Sequence, residues 1–234
     1  NGVSVIEDCA LALGAYLDGI HCGLFGDVAS FSFYPAKHIT TGEGGMIISK
    51  KEETVASIAN IKAFGYDKGL HDRVTPGVYD IVRLGLNYRM SEMSAAIGIQ
   101  QLKKMKGFAS RRKENMARLR SNLAGLELEL LPDGDERRRH ANYCLIAKLR
   151  SGSLEHRNHI LRGLKQRGDG ASVYYPVAVP LSKYYRRRYM SDDEDFMNAK
   201  TIASESLALP VGPHLALADM DVIAEVLSDE LKGS

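Results

Sequence analysis

Ser30-Phe31-Ser32-Phe33-Tyr34-Pro35-Ala36-Lys37, followed shortly by Thr40-Thr41-Gly42-Glu43-Gly44-Gly45, carries most of the architectural information in this chain. Residues 28–33 are rich in types that suit a pleated surface, and a strand is predicted there. The glycine-rich segment reads as a tight turn that feeds a further short strand, Met46-Ile47-Ile48-Ser49. Lys37 thus lies between a strand and a turn. A lysine held in such a place can be desolvated and can form a Schiff base with a carbonyl. A lysine without such surroundings is a solvated surface residue, so its neighbours decide.

Upstream, residues 3–6 read as a buried strand that ends in Glu7-Asp8. In open α/β sheets, ligands bind beyond the C-terminal ends of strands. A carboxylate there can pair with the protonated ring nitrogen of pyridoxal phosphate. Taken alone, Asp8 reads better as a turn or helix-capping aspartate. Ser32, five residues before Lys37, has a hydroxyl that can donate to a phosphate; by itself it is an ordinary strand serine. Asn87, Tyr88 and Arg89 stand just before a long helical pattern. An Asn or Arg at a helix start can reach an anion; the plainer alternative is a loop residue and a surface charge.

Working outward, residues 51–64 have helical character and 65–86 read as a long loop, a length that is often functional. Ser91 suits an N-cap, and Ala95, Ile99, Leu102 and Met105 form an apolar stripe at helical spacing. That pattern runs to about residue 123, interrupted at Gly107 and ended by Gly125. Beyond it Leu126, Leu128 and Leu130 alternate with glutamates, as in a half-buried strand. Strands are expected at 143–149 and 172–175, and helices at 154–167, 196–208 and 218–231. This second part reads as a small α+β domain, and the division is drawn at 1–110 and 111–234.

Composition excludes several classes. A hydrophobic share of 44% with 26% charged residues is ordinary for a globular protein. A net charge of +2 gives no reason to expect nucleic acid as a partner. No apolar run reaches the roughly 18 residues of a membrane span, and no basic start with an apolar stretch reads as a signal peptide. Cys9, Cys22 and Cys144 are odd in number and at no metal spacing, which fits a reducing cytoplasm. His156 and His159 share a helical face without a third ligand and read as surface residues rather than a metal site. The triplets Arg137-Arg138-Arg139 and Arg186-Arg187-Arg188 read as solvated loops.

The lysine stretch, together with Ile6-Glu7-Asp8-Cys9-Ala10 and Leu13-Gly14-Ala15, resembles the DegT/DnrJ/EryC1/StrS aminotransferases. Gly85-Leu86-Asn87-Tyr88-Arg89-Met90-Ser91-Glu92 with Ala95-Ala96-Ile97-Gly98 is similar to the family's next block. Tyr174-Tyr175-Pro176-Val177 and Leu207-Ala208-Leu209-Pro210 resemble two weaker ones. The resemblance implies a fold-type I pyridoxal-phosphate enzyme: part of an α/β large domain followed by the small α+β domain. It implies that Lys37 carries the cofactor and moves the proton, that Asp8 pairs with the pyridine nitrogen, and that Ser32 binds the phosphate. Asn87 would reach the phosphate of the neighbouring subunit's cofactor, so the active unit would be a homodimer. The implied reaction moves an amino group, usually from glutamate, onto a keto carbon of a nucleotide-linked sugar. Related dehydratases replace the lysine with histidine; here His38 follows Lys37 instead. A dehydratase-type enzyme and an inactive truncated relative are the alternatives. Leu11 stands where many members carry His or Gln. The family's phosphate-cradling turn and ring-stacking residue would precede the aspartate strand, and the chain opens at Asn1. It therefore reads as the C-terminal part of a longer enzyme.

Overall fold

The computed structural model describes residues 2–69 and 72–233. The expected 65–86 loop includes Leu70 and His71, which lie outside the described residues, as do Asn1 and Ser234. The first elements are β1 (Ile6–Asp8), β2 (Tyr16–Leu17), β3 (Ile20–His21), β4 (Val28–Ser32), β5 (Gly45–Ile48), α1 (Glu52–Ile61) and α2 (Glu92–Asn122). Then come β6 (Leu128–Leu130), β7 (Arg138–Arg139), β8 (Cys144–Leu149), α3 (Leu154–Gln166), α4 (Lys183–Tyr189), α5 (Met197–Glu205), β9 (Ser206–Pro210) and α6 (Leu217–Lys232). The chain separates into two compact units, Asn1–Lys106 with Gly134–Ala141, and Gly107–Asp133 with Asn142–Ser234.

In the first unit β4 is the central strand of a sheet of order β1-β4-β5. β1 runs parallel to β4, pairing Ile6 with Val28 and Asp8 with Ser30. β5 runs antiparallel on the other edge, pairing Ser32 with Gly45. The strand expected to be buried over 3–6 starts only at Ile6, and both Val3 and Ile6 are 76% exposed. β1 is an edge strand, and among the described residues its apolar side chains meet no covering layer. A second sheet, β3-β2-β7, is absent from the sequence reading. Its hairpin turns at Asp18-Gly19, both at positive φ (51° and 78°), as a two-residue turn joining right-twisted strands requires. β7 corrects the expectation of a solvated loop. Arg137 forks onto Asp18 at 2.7 and 2.8 Å, Arg138 grips Asp135, and the Arg139 guanidinium lies 3.8 Å from the centre of the Tyr16 ring.

The second unit has its own core. β8 alternates as half-buried strands do, burying Leu145, Ala147 and Leu149. These meet Leu119 of α2 and Leu123 just after it, Ile160 and Leu164 of α3, and Met220 and Leu227 of α6. Ser91 caps α2 by accepting from the Ser94 amide at 3.1 Å, and the helix passes through Gly107 without a break. Two expectations fail here. The helix expected over 196–208 ends at Glu205, and 206–210 pair antiparallel with β8 as β9. The strand expected at 172–175 is a single bridge between Ser172 and Ala208.

Candidate active site

The segment between β4 and β5 is closed on itself. The Phe33 amide donates to the Gly44 carbonyl at 2.9 Å, and the Phe33 carbonyl accepts from the Thr41 amide and the Thr40 hydroxyl at 3.0 and 3.1 Å. Gly44 is required: its φ is 151°, and a Cβ there would stand 2.5 Å from Thr41 Oγ1. Inside this closure the Lys37 amide donates to the Tyr34 carbonyl at 2.9 Å. Lys37 is half-buried, with His38 and Ile39 buried beneath it in sequence. His38 Nε2 donates to the Ala141 carbonyl at 3.0 Å, since a carbonyl can only accept. The lysine is thus held by its own loop on one side and by a buried neighbour on the other.

Asp8 ends β1. Its Oδ1 accepts the Ala10 amide at 3.0 Å, which fixes the side chain at the strand terminus. Asp8 and Ser30 are register partners, and alternate strand residues share a face. Ser32 therefore projects from the same face as Asp8, at the C-terminal ends of the parallel pair. The Ser32 hydroxyl oxygen accepts the Tyr34 amide at 3.3 Å, which leaves its proton for another acceptor. The structure thus gathers Asp8 and Ser32, with Lys37 in the loop that follows directly. Asn87 is positioned by another part of the unit, the pairing of 86–88 with the end of α1. There the Phe64 amide donates to the Leu86 carbonyl at 3.0 Å and the Tyr88 amide to the Lys62 carbonyl at 2.9 Å. Leu11 is 36% exposed, an apolar side chain at the rim of the Asp8 turn.

Glu7 was not singled out by sequence reasoning. Its carboxylate accepts three backbone N–H groups, from Gly23, Phe25 and Gly26, at 2.7, 2.8 and 2.6 Å. Burial pushes its pKa up, but the Gly26, Gly23 and Phe25 amides outweigh that and hold the group below the ordinary glutamate value. It ties the 23–26 turn beneath Asp8. The one signal for it was a carboxylate adjoining a strand end, which local pattern alone does not distinguish from Asp8. Cys9 is buried beside it, and its thiol is pushed up to about 11 by burial first and the Glu7 charge second. It is therefore a packing residue rather than a nucleophile.

The donor set suits pyridoxal phosphate. A carboxylate and a hydroxyl share one face at the strand ends, and an amine belongs to the loop that follows; as residue types these complement a ring nitrogen, a phosphate and an aldehyde. Comparison with known proteins points the same way. The chain is 33% identical over 223 residues to the uncharacterized protein MJ1066 of Methanocaldococcus jannaschii, covering 94% of this chain and 57% of that one. It is 28% identical to the spore coat polysaccharide biosynthesis protein SpsC of Bacillus subtilis, over 100% of this chain and 61% of SpsC. It thus spans about three-fifths of the curated relatives it matches. Among solved structures it resembles the putative sugar aminotransferase Spr1654 of Streptococcus pneumoniae in its PMP-form. That likeness has a TM-score of 0.91 at 26% identity, covering 99% of this chain and 59% of that one. The family model for DegT/DnrJ/EryC1/StrS aminotransferases matches residues 1–228. Likeness of that extent decides membership, and the chain belongs to the DegT/DnrJ/EryC1/StrS aminotransferase family.

Proposed function

We propose that the protein to which this chain belongs transfers an amino group from an amino acid, glutamate, to a keto carbon of a nucleotide-linked sugar. The observation that carries the reading is Asp8 and Ser32 on one face of the parallel strand ends, with Lys37 in the closed loop immediately after. Family membership and the sugar aminotransferase among its structural neighbours support it. Pyridoxal phosphate, when bound, supplies the electron sink that makes a proton next to nitrogen removable.

The residues divide the work as follows. Asp8, anchored through Oδ1, offers its other oxygen to the protonated ring nitrogen. Ser32 donates its hydroxyl proton to the phosphate. The Lys37 amine holds the cofactor and carries the proton between the two carbons involved, as a general base and then a general acid. Asn87 donates to the phosphate of a cofactor on a partner copy, which makes the working unit a homodimer. The free cysteines Cys9, Cys22 and Cys144 fit a reducing cytoplasm. Among the described residues no helix is long and apolar enough to cross a membrane.

Borohydride reduction after adding pyridoxal phosphate, followed by peptide mapping, tests the reading. The expected result is a cofactor-sized mass on Lys37 alone. On separate, unreduced protein carrying the cofactor, addition of glutamate without sugar is expected to release up to one equivalent of 2-oxoglutarate per bound cofactor. Absence of both on this chain and on a longer version of the protein would overturn the proposal. Labelling without 2-oxoglutarate would favour dehydratase-type chemistry instead.

A further inference from the structure

Asn87 and Arg89 are joined by a bond whose direction is set by chemistry. Arg89 Nε lies 3.2 Å from Asn87 Oδ1. A guanidinium has donors and no acceptor, so the amide oxygen must be the atom that faces it. The Asn87 amide nitrogen, with both its hydrogens, is then turned away from Arg89. The backbone of Asn87 is fixed independently. It bridges to Ala63, and the flanking residues bond to 61–64: the Leu86 amide to the Ile61 carbonyl at 2.7 Å, and the Tyr88 amide to the Lys62 carbonyl at 2.9 Å.

Arg89 is itself held. Its guanidinium lies 4.8 Å from the centre of the Phe64 ring, within the range of a cation–π contact. Phe64 is at φ 64°, a left-handed conformation that few aromatic residues adopt. The two segments approach so closely there that neither Gly65 nor Gly85 has room for a side chain: an added Cβ would overlap the Arg83 carbonyl oxygen or the Gly65 nitrogen. The tight pairing of 64–65 with 83–86 is what brings the ring under the guanidinium.

We propose that Arg89 is a positioning residue for Asn87: braced on Phe64, it locks the amide so that Asn87 presents only N–H donors to an anion. This rests on the reading of Asn87 as a phosphate ligand. It assigns Arg89 no direct contact with that phosphate.

The test is binding of pyridoxal phosphate, and of pyridoxal as a probe without phosphate, to the chain and to Asn87→Ala, Arg89→Met, Arg89→Lys and the Asn87→Ala/Arg89→Met double variant. Asn87→Ala is expected to weaken pyridoxal phosphate binding about tenfold, the scale of one hydrogen bond to a charged group, and to leave pyridoxal binding unchanged. Arg89→Met is expected to weaken it by a similar factor or less, and to add nothing in the Asn87→Ala background. Arg89→Lys, which keeps a donor, is expected to recover part of the loss. In the unliganded chain, the side-chain amide resonances of Asn87 are expected to move in Arg89→Met, which reports the bond without cofactor. Additive losses would mean that Arg89 meets the phosphate directly, and would overturn the positioning role alone. A silent Arg89→Met beside a weakened Asn87→Ala would do the same, as would unmoved amide resonances. An Asn87→Ala variant that binds as well as the unsubstituted protein, or no uptake by this chain and by a longer version of the protein, would overturn the Asn87 reading and this proposal with it.

Discussion

Glu7 accepts three short backbone bonds at the foot of the candidate site, and its carboxyl is held below the ordinary value. A group with a depressed folded pKa stabilises fully above its unfolded pKa, about 4.3 for glutamate. That contribution is lost as pH falls through the lower, folded value. Glu7→Gln is therefore expected to lower stability at neutral pH by about 1.5–3 kcal/mol, and to flatten the acid limb of Tm against pH. Thermal melts across pH 3–7 check both. Cys9, with its thiol pushed up to about 11, is expected to resist iodoacetamide at pH 7.5 until the chain unfolds. At this scale the sequence was partly legible. The sequence offers Asp8 and Lys37 as candidates because each closely follows a strand-like run, and Ser32 because it lies within one. Glu7 could not, because its role depends on a turn 16 to 19 residues away that folding brings underneath it.

β9 shows where elements escape sequence reading. Ser206 to Pro210 follows α5 with no glycine or proline between them, and an apolar run that short fits strand or helix alike. Tertiary pairing with β8 decides it. Leu207 and Leu209 are fully buried as a result, while Ile202 one helical turn earlier is exposed. Leu207→Ala is expected to cost about 2–5 kcal/mol and Ile202→Ala less than about 0.5 kcal/mol, by urea denaturation. Arg157, 2% exposed, joins the same elements: Nη1 donates to the Ala203 and Ser206 carbonyls at 3.1 and 3.4 Å. Arg157→Met leaves those carbonyls buried without their donor, and a loss of about 1–3 kcal/mol is expected. The Asp18-Gly19 hairpin, by contrast, was in plain view as an Asp-Gly pair; what hid it was the brevity of its strands.

Across the molecule, apolar burial is uneven. The contiguous core cluster belongs to the second unit, while the first buries Ala29, Phe31, Phe33 and Ile39 and leaves Val3, Ile6, Leu84, Tyr88 and Met93 exposed. Amide exchange is expected to be slowest along β8 and its partners and fast in β1, since local stability follows buried apolar contact. Mass spectrometry of deuterated peptides measures it; uniform protection would contradict it. The sequence reading draws its division at a change of pattern, from short glycine-spaced elements to alternating leucines. The return of 134–141 to the first unit was not visible, because Arg137 finds Asp18 across 119 residues of chain.

The closed loop around Lys37 also bears on the order of assembly. Ser32 and Lys37 belong to one β4–β5 hairpin, whose closure involves near neighbours in the chain and so a small entropic cost. Asp8 joins them only through a parallel pairing, which must bridge the whole segment between β1 and β4 before any bond forms. The β4–β5 hairpin that carries Ser32 and Lys37 is therefore expected to close before Asp8 is brought alongside it.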